Sequence, residues 1–192
     1  ARVLEGIELA READLKPIKI NTVVQRGVND HTVLDLLEHF RGTDVVVRLI
    51  EYMDVGNINH WRHGDMVPAR ALVDSIHARW PLEAVQRRHA SDVASRYRYA
   101  DGEGEIGFIT SVTEPFCGAC SRARLSSEGK LYTCLFASEG VDLRAPLRSG
   151  MTEAGLEEFV AAVWRGRADR YSEERAEGAP VGEKIEMYYI GG

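Results

Sequence analysis

Apolar and polar positions along the chain follow two periods, and the switches between them mark out the elements. Residues 2–13 repeat apolar side chains near a spacing of 3.6, at Val3, Leu4, Ile7 and Ala10, which predicts an amphipathic helix. Pro17 ends it. Over residues 18–25, Ile18, Ile20, Thr22 and Val24 fall to one side and Lys19, Asn21 and Val23 to the other, the period of a strand. The polar run "RGVND" predicts a loop with Asn29 or Asp30 as a helix N-cap. Val33, Leu34, Leu36, Leu37 and Phe40 then mark a second helix, closed by Gly42. Residues 45–53, "VVVRLIEYM", form a nearly continuous apolar run, as in a parallel strand covered on both faces. Helix, strand, helix, strand at this spacing predicts βαβ units with ligands near the carboxyl ends of the strands. Lys19, Asn21, Arg48, Glu51 and Met53 lie on or beside those strands.

Beyond "DVGNINHW" the pattern changes. Pro68 is expected to open a helix running to about Arg79, and residues 81–94 read as irregular or helical. "SRYRYA" and "GEIGFITSV" read as strands joined by a Gly-bearing turn at residues 101–104. "RARLSSEGKLYTCLF" reads as a hairpin turning at Glu128 and Gly129. Helices are expected near residues 142–148 and over 152–165, the latter burying Leu156, Phe159, Val160 and Val163. "ERAEGAPVGEKIE" is polar and reads as mobile, and the sequence closes on "MYYIGG".

Composition narrows the class. With 192 residues, 44 % of them apolar and 28 % charged, the chain resembles an ordinary water-soluble globular protein of one large or two small domains. A net charge of −6 argues against general nucleic-acid binding, which needs a basic surface. No apolar run approaches the roughly 18 residues that suggest a membrane span, so neither nucleic acid nor membrane is an expected partner. Three cysteines clustered in residues 117–134 do not look like a secreted disulfide framework. A reducing, cytoplasmic location follows as the expectation. The chain opens without Met on an apolar helical stripe, so further sequence is expected upstream of Ala1.

The cysteines are the strongest chemical signal. Cys117, Cys120 and Cys134 follow a C-x2-C-x13-C pattern, in which a tight turn supplies two thiols and a hairpin strand returns a third. Three readings stay open on these residues alone. They can be buried free thiols; three ligands of a structural zinc completed by a His or Asp; or three ligands of a [4Fe–4S] cluster whose fourth iron is open to a substrate atom. Arg122 and Arg124 follow at strand spacing, so both guanidinium forks can face one space and bind phosphate oxygens. A cluster beside an arginine pair suits a phosphorylated, nitrogen-bearing ligand such as a nucleotide.

The segment "FITSVTEPFCGACSRARLSSEGKLYTCLF" closely resembles the C-terminal cluster motif of the molybdenum-cofactor biosynthesis protein A family, the radical S-adenosylmethionine GTP 3′,8-cyclases. "KINTVVQRGVND", "VRLIEYMDVGN", "RYRYADGEGEIGFI" and the terminal "IGG" resemble that family in the same order, so the likeness covers essentially the whole chain. It implies an α/β fold: the last units of a partial (β/α) TIM-like barrel over residues 1–65, then an α+β C-terminal region over 66–192 with an auxiliary [4Fe–4S] cluster. It implies that Cys117, Cys120 and Cys134 ligate that cluster. Lys19, Arg48, Arg122, Ala123 and Arg124 would contact GTP, and Asn21 and Met53 would lie near S-adenosylmethionine. Gly191 and Gly192 match a double-glycine tail that reaches the active site.

The family's CxxxCxxC motif, which holds the cluster that cleaves S-adenosylmethionine, is absent from this sequence. The resemblance therefore implies the C-terminal part of an enzyme of molybdenum cofactor (molybdopterin) biosynthesis. That enzyme cyclises GTP to (8S)-3′,8-cyclo-7,8-dihydroguanosine 5′-triphosphate. The expected partners are GTP, S-adenosylmethionine and the N-terminal half of the barrel, with a homodimer left open. The chain by itself is expected to be inactive. The alternative is a three-cysteine zinc or nucleotide-binding module without catalysis of its own.

Overall fold

The computed structural model describes residues 2–176 and 183–190. The chain forms two compact units, one of residues 1–53 and 62–115, the other of 54–61 and 116–192. Its elements combine helices with mixed parallel and antiparallel strands, an α/β architecture.

The first unit opens with α1 (Arg2–Glu12), which buries none of its side chains. β1 (Lys19–Val24) alternates as its pattern predicts, with Lys19, Asn21 and Val23 exposed and Val24 fully buried. A short 3-10 turn leads into α2 (Val33–Phe40), whose Val33, Leu37 and Phe40 are buried. Neither expected cap acts as one. The Asn29 carboxamide accepts from Gln25 N at 2.8 Å and donates to the Val23 carbonyl, and Asp30 accepts from Gly27 N. Both side chains fold back to close the loop, which these short polar groups do as readily as they cap. β2 (Val46–Glu51) follows and then α3 (Ala69–Arg79), opened by Pro68.

β3 (Leu82–Val85), β4 (Ser95–Tyr99) and β5 (Glu105–Ile109) complete a five-stranded sheet in the order β1-β2-β5-β4-β3. β1, β2 and β5 run parallel, and β5-β4-β3 antiparallel. β3 stands where the sequence reads as irregular or helical. "PLEAV" has no strand signature of its own, and its pairing along β4 decides the outcome. The β4–β5 turn is as expected, with Gly102 and Gly104 at φ +86° and +107°. One face of the sheet carries the core: Val47 beside Ile106 and Leu49 beside Phe108, under Leu37 and Phe40 of α2 and Leu72 and Ile76 of α3. Each such side chain contributes on the order of 1.5–3 kcal/mol by leaving water.

Glu51 is the polar exception in this core, 2 % exposed. Its carboxylate accepts from Ala69 N, Val112 N and Thr113 N at 2.9 Å each and from the Thr113 hydroxyl at 2.6 Å. It thereby satisfies the N-terminus of α3 and the turn after β5, and both of its own oxygens are paired.

The second unit has a three-stranded antiparallel sheet of β6 (Arg124–Leu125), β7 (Lys130–Tyr132) and β8 (Val141–Asp142). The β6–β7 hairpin turns at Gly129, at φ +81°. α4 (Arg144–Arg148) and α5 (Glu153–Arg165) follow, α5 capped by the Thr152 hydroxyl accepting from Gly155 N at 3.1 Å. Leu156, Phe159, Val160 and Val163 are half-buried, not fully buried as expected. α6 (Tyr171–Ala176) comes next, and a 3-10 turn covers Met187–Ile190.

The run "ERAEGAPVGEKIE" is not wholly the loose polar stretch its composition suggests. Lys184 is 6 % exposed, and its Nζ lies 2.6 Å from both the carbonyl and carboxylate oxygens of Asp54. Arg175 and the Tyr171 hydroxyl hold the same carboxylate, while Lys184 lies over the rings of Tyr171 and Phe136. A charge cluster that assembles from positions far apart in sequence leaves no local pattern to read.

Candidate functional site

The candidate residues fall into a group in each unit. In the first, Lys19 and Asn21 share the exposed face of β1, opposite the core, and Arg48 is the partner of Asn21 on β2. The Cα register runs on from Arg48 to Gly107 of β5 and from Gly107 to Arg96 of β4. A Cβ at Gly107 would stand 3.2 Å from Arg48 Cγ, so the missing side chain leaves room for the arginine stem. Met53, half-buried, follows β2 by two residues. One sheet face thus gathers Lys19, Asn21 and Arg48, two cationic heads beside a carboxamide, from adjacent parallel strands.

In the second unit Cys117 and Cys120 bracket a single 3-10 turn, Cys117–Ala119, closed by Cys120 N on the Cys117 carbonyl at 3.2 Å. Cys134 lies two residues past β7 and lines an open recess of about 410 Å³ with Phe136, Asp169 and Tyr171. All three thiols are free and half-buried.

Arg122 is exposed; it donates to Cys120 Sγ at 3.4 Å and lies over the Phe116 ring at 5.0 Å. Arg124 is half-buried on β6, and Ala123 between them is exposed. Burial and the neighbouring Arg122 charge lower the Arg124 pKa, while the Cys134 and Cys120 thiolates oppose this. Arg122, Arg124, Cys120 and Cys134 therefore share one electrostatic environment. Burial works to raise the Cys120 thiol, but the Arg122 hydrogen bonds and the charges of Arg122 and Arg167 outweigh it and bring the pKa below its ordinary value. Cys134 moves the other way, raised by burial and by Asp169 and Cys117.

Among the described residues, no three His, Cys, Asp or Glu side chains converge as a set around one ion. Gly191 and Gly192 lie outside the described residues. Two residues of the site gave no signal in the sequence: Arg167, just past the end of α5, and Asp169. Their partners are main-chain carbonyls and Thr133, which no local pattern announces.

Residues 45–173 match the profile described as Molybdenum Cofactor Synthesis C. The chain belongs to that family. Over 192 residues it is 51 % identical to a GTP 3′,8-cyclase of Xanthomonas axonopodis pv. citri, covering all of this chain and 57 % of the relative. It is 52 % identical over 191 residues to the GTP 3′,8-cyclase of Xanthomonas campestris pv. campestris strain 8004, again with full coverage of this chain and 56 % of the relative. To the GTP 3′,8-cyclase of Acidothermus cellulolyticus it is 43 % identical over 215 residues, 99 % of this chain and 59 % of the relative. The chain thus spans little more than half the length of the curated relatives it matches. Among the described residues, no helix is long and apolar enough to cross a membrane.

Proposed function

We propose that this chain is the nucleotide-binding, second-cluster part of a cytoplasmic GTP 3′,8-cyclase that acts in molybdenum cofactor biosynthesis. On this reading residues 1–65 supply the last units of a radical S-adenosylmethionine barrel. The parallel β1-β2-β5 order, with α2 and α3 on one face and Lys19, Asn21 and Arg48 on the other, supports it. Lys19 and Arg48 contribute positive charge to GTP, while Asn21 and Met53 line the S-adenosylmethionine side. Residues 66–192 form the C-terminal cluster region, and Gly191 and Gly192 are its active-site tail.

The single observation that carries the proposal is the arginine pair beside free thiols: Arg122 donates to Cys120 Sγ at 3.4 Å, and Arg124 lies within reach of the Cys120 and Cys134 charges. Cys117, Cys120 and Cys134 are the residues that would hold a [4Fe–4S] cluster. Its open iron would supply a Lewis-acid position for the guanine base. The donor set suits it: soft sulfur ligands, no disulfide and adjacent cationic groups that offset thiolate charge. A structural zinc would need a fourth ligand beside the three cysteines, and the residues around them offer cationic arginines instead. Around it this chain's own groups act electrostatically. Arg122 and Arg124 bind phosphate oxygens as charged forks, orienting the nucleotide.

Anaerobic reconstitution of the full-length protein tests the assignment. Cys134→Ala is expected to remove about four irons per chain with matching sulfide, since a CxxC alone anchors only two irons. Full iron retention, or stoichiometric zinc in place of iron and sulfide, defeats it. Arg122→Ala or Arg124→Ala is expected to weaken GTP binding by roughly one to two decades, the worth of a charge-assisted hydrogen bond. Unchanged affinity in both variants returns the arginines to a solvated face.

A further inference from the structure

Arg167 makes contacts that the chemistry above does not use. It follows the end of α5 by two residues, and its side chain is 12 % exposed. Nε donates to the Thr133 carbonyl at 3.2 Å, and Nη1 to the Cys120 carbonyl at 3.2 Å and, more weakly, to the Cys117 carbonyl at 3.5 Å. Nη2 donates to the Asp169 carbonyl at 3.3 Å. The Asp169 carboxylate stands 3.4 Å from Nε and accepts the Thr133 hydroxyl at 2.6 Å. The guanidinium lies over the Trp164 ring, 5.3 Å from its centroid.

These contacts have one geometric result. The Cys117 and Cys120 carbonyls belong to the tight turn; the Thr133 carbonyl belongs to the peptide that joins Thr133 to Cys134. Thirteen residues separate Cys120 from Cys134, counted through the β6–β7 hairpin. Between β6 and β7 only Arg124–Tyr132 and Leu125–Leu131 are in register. That short ladder cannot by itself fix how far Cys134 stands from the CxxC turn. A planar fork with five donors can fix it, because it presents several hydrogen bonds at set angles to acceptors on both segments. Asp169 and Trp164 hold the fork in its plane, so little freedom remains to be lost when a cofactor arrives.

We propose that Arg167 is a positioning residue that holds the CxxC turn and the Cys134 strand end at the spacing an iron–sulfur cluster requires. The inference rests on the reading that these three cysteines hold the cluster. Cys134→Ala tests that reading separately, and the iron which that variant lacks defines the pool to be followed.

The experiment measures loss of this iron to a chelator from anaerobically reconstituted full-length protein, beside the denaturation midpoint of each metal-free variant. Arg167→Lys keeps the positive charge but offers no planar fork; Arg167→Ala removes both. Both variants are expected to lose iron roughly ten to a hundred times faster than the parent, the factor one charge-assisted hydrogen bond is worth. Their metal-free midpoints are expected to fall, since the same ties act without metal, so iron loss is compared where each metal-free variant is still fully folded. Millimolar guanidinium, far below denaturing levels, is expected to slow the loss in Arg167→Ala. Parent-like iron retention in both variants overturns the proposal. So does a normal Arg167→Lys beside a leaky Arg167→Ala, which would assign the residue a role of charge alone. Should Arg167→Ala not fold, Arg167→Lys decides the matter. If Cys134→Ala keeps its iron, the cluster reading fails first and Arg167 has no site to organise.

Discussion

The two units hold themselves together by different means. The first buries an apolar layer between its sheet and two helices, with Leu37, Leu49, Ile76, Ile106 and Phe108 almost wholly out of water. Its one buried carboxylate, Glu51, is answered by backbone N–H groups and a hydroxyl. In the second, the buried apolar side chains among the described residues are Leu131, Tyr132, Phe136, Leu143 and Ile190. Its strands are two or three residues long, and its long-range ties run through charged side chains: Asp54 with Lys184 and Arg175, and Arg167 with the Thr133 and Cys120 carbonyls. A burial-driven unit draws little of its stability from charge. A unit tied by charged side chains answers to pH through them.

The contrast breaks hardest in the core of the first unit. Phe108→Ala removes a ring that packs edge-on against Tyr97 at 5.4 Å and sits beside Leu49. The expected cost is about 3–5 kcal/mol, from lost transfer energy and the cavity left behind. A urea titration followed by far-UV circular dichroism measures it. A cost near 1 kcal/mol would mean that the apolar layer is not what holds this unit.

In the second unit the matching test is Asp54→Ala. It leaves the buried Lys184 and Arg175 without their shared carboxylate, for which about 3 kcal/mol or more is expected. Burial works to raise the Asp54 carboxyl, but the Lys184 and Tyr171 hydrogen bonds and the Arg175 charge hold it below the ordinary aspartate value. The unfolded chain therefore binds a proton before the folded one does as pH falls. The stabilisation is present in full above the ordinary aspartate range, near pH 3.9, and is lost as pH drops toward the lowered folded value. Asp54→Asn is expected to flatten that acid limb. An unchanged limb would remove the charge cluster from the account of this unit.

Glu51→Gln probes the polar exception inside the apolar unit and is expected to cost about 1–3 kcal/mol. The amide turns an NH2 group toward backbone donors that need an acceptor, leaving at least one unsatisfied. The denaturation midpoint measures it, and a neutral result would mean the turn after β5 does not depend on this anchor.

How much of this was legible follows the same divide. α2, β1, β2, α3, and the β4–β5 and β6–β7 turns are written in local periodicity and in glycines with positive φ, so the sequence predicts them closely. β3 is not, because its partner strand, rather than its own residues, makes it a strand. The cysteines and arginines of the candidate site are contiguous and therefore visible as a motif. Arg167, Asp169, Lys184 and Asp54 are invisible, because each acts on groups brought near only by the folded chain. Gly107 lies between: a glycine inside a strand signals close approach, but only the register reveals that Arg48 is what approaches.

The smallest effect sharpens the comparison from the apolar side. The Tyr99 ring is 2 % exposed, and its hydroxyl has no hydrogen-bond partner among the described residues. Burial lifts its pKa to about 12, with the Arg41 charge opposing. Replacing it with Phe removes a polar atom that returns little, so at neutral pH Tyr99→Phe is expected to change stability by less than about 1 kcal/mol, in either direction. The difference emerges in alkali. An unfolded tyrosine gives up its proton near pH 10, whereas the folded one keeps it to about 12. Between those values the folded state binds more protons than the unfolded, so stability falls as pH rises. Tyr99→Phe is expected to lose that part of the alkaline limb and to hold its midpoint from pH 10 upward better than the parent. Parallel alkaline profiles for the two proteins would mean that water reaches this hydroxyl, and that the apolar layer is less closed than its burial implies.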